Sequence, residues 1–207
     1  MTGTQFVPVR IRQAHTFDIP VLLEIVQSAY RGEGGWTTEA HLVRGHRTDE
    51  AEVRGLLEDP HTLLLVAQRQ PASGPATVGQ AREATTGPTG APAAALSVLG
   101  CCYTRRDPDE PQRAELGLFA VSPSAQGAGV GRALIEAHVA RRAQDGVRRI
   151  ELCVLQNRPE LRAWYERRGF QTMEGTLPFP ADPSLLVEPG LRMERMVRTL
   201  LPSSAGR

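Results

Sequence analysis

The sequence predicts an α/β chain of the α+β type, and three observations carry that prediction. Strand and helix patterns alternate in the order strand, helix, helix, strand, strand, strand, helix, strand, helix, strand, strand. With 207 residues, 41% of them hydrophobic and 23% charged, the chain can bury one sizeable core. At its centre, Leu116–Leu134 (LGLFAVSPSAQGAGVGRAL) runs from an apolar strand through a glycine-rich turn straight into a helix.

Val7–Arg12 alternates apolar and charged residues, as a half-buried strand does. Asp18 is placed as an N-cap with Pro20 in the first turn. Ile19, Leu22, Leu23, Val26 and Tyr30 then form a helical stripe that Gly32, Gly34 and Gly35 end. Thr48 is read as the cap of a second helix, Asp49–Leu57, acidic in its first turn, with Val53, Leu56 and Leu57 on its apolar side. Thr62–Gln68 is a strand. Pro71–Pro92 is rich in Pro, Gly, Ala and Thr and reads as a long flexible hairpin connection, not a second domain. Ala94–Arg105 and Arg113–Val121 are strands around a turn at Asp107–Pro111. A helix follows over Gly129–Asp145 and ends at Gly146. Arg149–Leu155 is a strand, Pro159–Arg168 a helix stopped by Gly169, and Phe170–Glu174 and Leu191–Met196 are closing strands. Simple alternation puts Glu115, Gly117, Phe119 and Val121 on one face of the central strand. The whole is expected to be one domain over residues 1–207, with its core at about 7–198 and a tail at 199–207.

Composition excludes several function classes. A formal net charge of +1 gives no general attraction to nucleic acid. Every basic side chain apart from histidine is arginine, so no Schiff-base or P-loop lysine exists. Cys101, Cys102 and Cys153 sit in apolar, strand-like runs and read as core thiols of a reducing cytosol. No metal is expected, because His41 and His46 have no third ligand at a suitable spacing. The N-terminal stretch lacks a signal-peptide core, and no apolar run approaches the roughly 18 residues of a membrane helix. A cytoplasmic protein with no membrane partner is the expectation.

The turn after the central strand carries chemistry. A helix start offers N–H groups with no intrahelical partner, and the helix dipole favours negative charge there. Glycines let a phosphate approach the backbone. A P-loop would need Lys and then Ser/Thr after its last glycine, but Arg132 and Ala133 follow Gly131. The spacing is also not the G-x-G-x-x-G of a dinucleotide fold. What fits is Q/R-x-x-G-x-G/A between a strand ending V-x-P and a helix beginning G-x-A-L. Downstream, LCVLQNRPELRAWYERRGF (Leu152–Phe170) joins a strand to Asn157 and a helix with Tyr165 four residues before Gly169. Together these motifs resemble the GNAT superfamily of acyl-CoA-dependent N-acyltransferases, specifically over Glu115–Phe170 and more loosely over Val7–Met196.

The resemblance implies a mixed, mostly antiparallel central sheet, splayed between its fourth and fifth strands, with helices on both faces. It implies acetyl-CoA as acyl donor, its pyrophosphate held at Gln126, Gly127, Ala128, Gly129, Val130, Gly131 and Arg132. The pantetheine arm would lie along Phe119 and Val121, and Asn157 belongs to the same set. Tyr165 is the expected general acid, since a thiolate expelled into a partly dry site needs a proton donor within reach. A boundary aromatic with its hydroxyl at the surface is the other reading of Tyr165. Glu115 is the candidate general base, with Glu39 and His41 as rivals and an ion pair with Arg113 or Arg105 as its structural alternative. Trp36, Thr37, Glu39 and His41, between the first two helices, are the first guess for the acceptor-reading segment. The acceptor is expected to be a small-molecule amine, and a modest acidic cluster of Glu33, Glu39, Asp49, Glu50 and Glu52 would suit a cationic one. A binding module that holds acyl-CoA with little chemistry, and transfer to a protein or peptide amine, are the alternatives. A homodimer pairing through the last strands is also compatible with the family.

Overall fold

The computed structural model describes residues 7–32, 39, 41–70, 98–180, 186–187 and 190–200. The expected loop 71–92 and the calls on Trp36 and Thr37 lie outside these residues. The elements are β1 (Val9–Gln13), α1 (Ile19–Arg31), α2 (Glu50–Glu58), β2 (Thr62–Arg69), β3 (Val98–Arg106), β4 (Arg113–Val121), α3 (Val130–Gln144), β5 (Arg149–Leu155), α4 (Pro159–Glu166), β6 (Gln171–Pro178) and β7 (Arg192–Thr199). They follow the order the sequence predicts. The last strand runs past the expected end, and Leu200 beyond it is buried.

All seven strands form one sheet in the order β1-β2-β3-β4-β5-β7-β6. Every pairing is antiparallel except β4 with β5. Alternating residues of β2 divide the core between the two faces. Leu64 and Val66 pack with Leu22 and Val26 of α1 and Val53 of α2. Leu63, Leu65 and Ala67 pack with Leu134 of α3 on the other side. Each such fully buried aliphatic side chain contributes about 2 kcal/mol. The second face also holds buried polar groups. His138 of α3 sits between the Thr104 hydroxyl and the Cys102 carbonyl, each at 3.0 Å. The carbonyl can only accept, so Nε2 donates to it and Nδ1 accepts from Thr104. Burial holds this imidazole neutral, its pKa pushed down to about 4.

Two caps differ from the sequence reading. The N-cap of α2 is Asp49, whose carboxylate accepts from the Glu52 N–H at 2.8 Å, while Thr48 donates its hydroxyl to the Glu52 side chain. Asp18 makes no side-chain cap to α1. It instead accepts the His15 N–H and a two-pronged bond from Arg12 at 2.7 and 2.8 Å. In both cases an alternative hydrogen-bond partner of the same short side chain wins over the pattern.

The larger correction lies in β4. Cys101 pairs with Ala120 but Tyr103 with Gly117, so two steps along β3 match three along β4. The extra residue makes a bulge at Leu118, whose φ is 46°. Ala114 and Leu116 pack on the α3–α4 side with Ile135 and Tyr165. Past the bulge, Leu118 and Ala120 pack on the α1–α2 side, and Phe119 and Val121 on the α3 side. Glu115 and Gly117 therefore do not share a face with Phe119 and Val121, as strict alternation required. Gly117 instead faces Tyr103, which packs with the α1–α2 cluster.

Among the described residues no helix is long and apolar enough to cross a membrane.

Candidate active site

The parallel contact of β4 with β5 lasts only from Arg113 opposite Arg149 to Glu115 opposite Glu151. Beyond Glu115 the two strands part, and a cavity of about 550 Å³ opens between their C-terminal halves. That size suits a small-molecule or cofactor site. Its lining comes from both faces of the sheet. On one side stand Phe119 and Val121, the turn Gln126–Arg132, and Trp164, Tyr165 and Arg168. On the other stand Tyr30, Arg31, Glu39, Val43, Arg44, His46 and Arg47, with Cys153–Leu155 of β5 beneath.

The turn before α3 is shaped by glycines. Gly127 and Gly129 have φ of 80° and 86°, the left-handed region that β-carbons disfavour. Gly129 is the N-cap, and no side chain caps the helix there. The first turn of α3 carries no acidic residue. This contrasts with α2, where Asp49 occupies the corresponding place. The α3 terminus thus offers N–H groups and a positive dipole end to an anion. At Gly131 a Cβ would press on the rings of Phe119 and Trp164, so this glycine lets helix and strand approach closely. All the expected turn residues except Ala128 line the cavity. Gln126 also donates to the Val121 carbonyl at 3.2 Å, fastening the turn to the open edge of β4.

Tyr165 is 5% exposed and packs edge-on against Trp164 and Phe170 and tilted against Phe119. Burial raises its pKa well above the ordinary phenol value, so the hydroxyl keeps its proton. The other reading of Tyr165, a boundary aromatic with its hydroxyl at the surface, does not hold: the residue is buried and its side chain lines the cavity. Arg168, one helical turn on from Trp164, lies with its guanidinium 3.4 Å from that indole's centroid and donates to the Trp164 carbonyl. The sequence reading missed it, although the i,i+4 spacing of Trp164 and Arg168 was available.

The predicted acceptor segment is brought in only partly. Glu39 lines the cavity, and burial raises its pKa, opposed by Arg158, Arg31 and Arg47. His41 is exposed and outside the lining. Of the acidic cluster read from the sequence, Glu39 alone among the described members reaches the cavity. Glu50 pairs with Arg54, Glu52 bonds Thr48, and Asp49 caps α2. Tyr30, read as the end of a core stripe, donates its hydroxyl to the Phe119 carbonyl at 3.0 Å. Arg31, Arg44 and Arg47 had no pattern to single them out among so many arginines.

Glu115 stands at the vertex where β4 and β5 part. Its side chain is 54% exposed, lies 3.5 Å from Arg105 and is not part of the cavity wall. Asn157 is exposed in the turn between β5 and α4, also outside the wall. Cys101 and Cys102 are buried as expected, but Cys153 is exposed and faces the cavity. Partial burial and the nearby Glu115 charge push its thiol up, away from the thiolate. Among the described residues no group of three or more His, Cys, Asp or Glu is placed to hold a metal ion.

Comparison with known proteins gives consistent results. The family model described as the acetyltransferase (GNAT) family matches residues 47–170. Among solved structures, a GCN5-related N-acetyltransferase from Kribbella flavida is similar at 20% identity and TM-score 0.59, covering 93% of this chain and 98% of that one. A ribosomal-protein-alanine N-acetyltransferase from Brucella melitensis is similar at 20% identity and TM-score 0.62, covering 92% and 99%. A phosphinothricin acetyltransferase from Sinorhizobium meliloti, in complex with AcCoA, is similar at 20% identity and TM-score 0.58, covering 96% and 92%. At such identities the likeness is one of fold. Comparison with curated proteins returns no match.

Proposed function

The chain belongs to the GNAT acetyltransferase family, and from that premise we propose that it moves an acetyl group from acetyl-CoA to a primary amine of a small molecule by direct attack. The observation that carries this reading is that one cavity joins the α3 turn, Tyr165 and Glu39. The residues fit the donor. A helix start with two left-handed glycines and no side-chain cap suits a pyrophosphate, and Arg132 and Arg168 add positive charge along the same wall. Among the described residues the β4 backbone beyond Glu115 has no strand beside it on the β5 side, which suits an extended pantetheine arm.

Acetyl-CoA, when bound, supplies an activated thioester. The protein's own groups divide the remaining work. Glu39 takes the proton of the acceptor ammonium, because only the free amine can attack a carbonyl. A carboxylate whose pKa is raised by burial is the better base for that task. Tyr165 holds a proton at Oη for the departing sulfur. A backbone N–H near Val121 would polarise the acyl oxygen. Glu115, at the vertex, could serve as base only through intervening water. The neutral thiol of Cys153 argues against a covalent route.

The structural neighbours are named for both protein and small-molecule acceptors. A small acceptor is favoured here because Phe179 and Met193, which pack with Val43, add apolar wall to the cavity. The test is free-thiol release from acetyl-CoA with pooled small amines and short peptides. Release with a small amine, and an acetylated amine by mass spectrometry, is the expected result. Release only with peptides would replace the acceptor class. Saturable acetyl-CoA binding with no release from any pool would favour a binding module.

A further inference from the structure

The acceptor end of the cavity is built for more than an ammonium group. Arg31, Arg44 and Arg47 line it, and among the described residues Glu39 is the carboxylate that faces them. Guanidinium groups stay charged at any working pH. An acceptor entering as a simple cation would meet net repulsion there.

The three arginines are not equivalent. Arg31 is occupied: Nε donates to the Gly45 carbonyl at 2.8 Å, Nη1 donates to the Tyr30 carbonyl at 3.3 Å, and Nη1 lies 3.9 Å from Glu39. Arg47 lies over the Tyr30 ring, 5.3 Å from its centroid. Among the described residues no hydrogen bond or ion pair claims the Arg47 guanidinium. The ring beneath it is itself fixed, since the Tyr30 hydroxyl donates to the Phe119 carbonyl on the open edge of β4. A guanidinium held over a fixed ring is pre-set to offer its N–H groups to an oxyanion. Arg47 is near enough to Glu39 to favour the carboxylate's charged form, yet no ion pair joins them.

Resting on the acetyltransferase reading above, we infer that the acceptor carries an anionic group beside its amine, an amino-acid-like zwitterion, and that Arg47 pairs with that anion while Glu39 receives the ammonium. The arrangement sorts acceptors as well as binding them. An amine without the anion leaves Arg47 facing an unmatched cavity, and sites with unpaired charged donors reject such analogues strongly.

The test uses the full chain, acetyl-CoA and matched sets of acceptors: amino acids, their carboxamides, the corresponding decarboxylated amines, and aminoalkylphosphonates. Thiol release is followed for each. The expected result is kcat/KM roughly 10- to 100-fold higher for the anionic member of a set, the range of one charged hydrogen-bonded pair. Comparing carboxylates with phosphonates tells which oxyanion is read. Arg47→Gln is expected to raise KM for the anionic acceptor by a similar factor and to erase the preference over the carboxamide, with the KM for acetyl-CoA unchanged. Arg47→Lys, which keeps charge but loses the guanidinium, should fall between. Equal or better turnover of the carboxamides or decarboxylated amines would overturn the inference and leave acetyl transfer standing. A preference that survives Arg47→Gln would also overturn the role given to Arg47. No transfer to any member of the panel would overturn both the inference and the small-amine reading.

Discussion

The two ends of the cavity are built from different materials. The end at the α3 turn, proposed for the donor, is mostly backbone: a turn with two left-handed glycines, a bare helix start and, among the described residues, a strand edge with no strand beside it. The acceptor end is mostly side chain: Tyr30, Glu39 and Arg47 converge from α1 and the segment after it. Backbone geometry binds what every such protein must bind. Side chains on a connecting segment can change without disturbing the sheet, and they set what is accepted. Tyr30 links the two, since its ring supports Arg47 and its hydroxyl holds the strand edge.

That division predicts how substitutions will separate. Tyr165→Phe should have the largest effect, a fall in kcat of at least about 100-fold, with acetyl-CoA affinity by calorimetry unchanged, because the ring still packs with Trp164 and Phe170. Retained turnover would place the proton donor elsewhere. Glu39→Gln should follow, lowering kcat/KM by roughly 100-fold at neutral pH. Because burial raises the Glu39 pKa, wild-type kcat/KM should climb with pH through a value above the ordinary glutamate range. Below that value the base is protonated and idle. Glu39→Gln should remove this acid limb, whereas Glu115→Gln should leave it in place. The reverse pattern would move the base to the vertex of the strands. Gly129→Val forces a β-carbon into a left-handed conformation with φ of 86°, costing about 1–2 kcal/mol of stability. Its acetyl-CoA affinity should drop about 10-fold, by the same order of free energy, while acceptor preference holds. Thermal melts and calorimetry read the two separately. Cys153→Ser should matter least, changing kcat by less than about two-fold, since a neutral thiol has no part in direct transfer. An acetylated Cys153 trapped by mass spectrometry would reverse that.

The glycine turn before α3 was legible in the sequence for the reason that makes it backbone. Left-handed turns and bare helix starts demand glycine at set spacings, and Gly127, Gly129 and Gly131 meet that demand. Element order was legible as well, since each element buries a stripe with its own period. The acceptor end was not. Arg47 lies over the Tyr30 ring across 17 residues of chain, and no local period records that. Glu39 was named only as one polar residue among several. The exposure of Cys153 was hidden because it depends on where β4 leaves β5, a tertiary event. The face shared by Glu115 and Phe119 was misread for a different reason. Alternation was counted correctly, but the strand inserts a residue at Leu118, and the segment Gly117-Leu118 gives no strong sign of it.

That inserted residue changes the parity of the strand. Ahead of it, odd-numbered positions look toward α1 and α2; after it, they look toward α3 and α4. A single strand therefore turns Glu115 to the α1–α2 face and Phe119 and Val121 to the α3 face. Flattening the bulge into plain alternation with every residue kept would swap Phe119 and Val121 with Leu118 and Ala120 across the sheet. The chain would keep the same composition and hydropathy. The cavity, however, would then have Ala120 where Phe119 and Val121 stand, with the strand itself still in place.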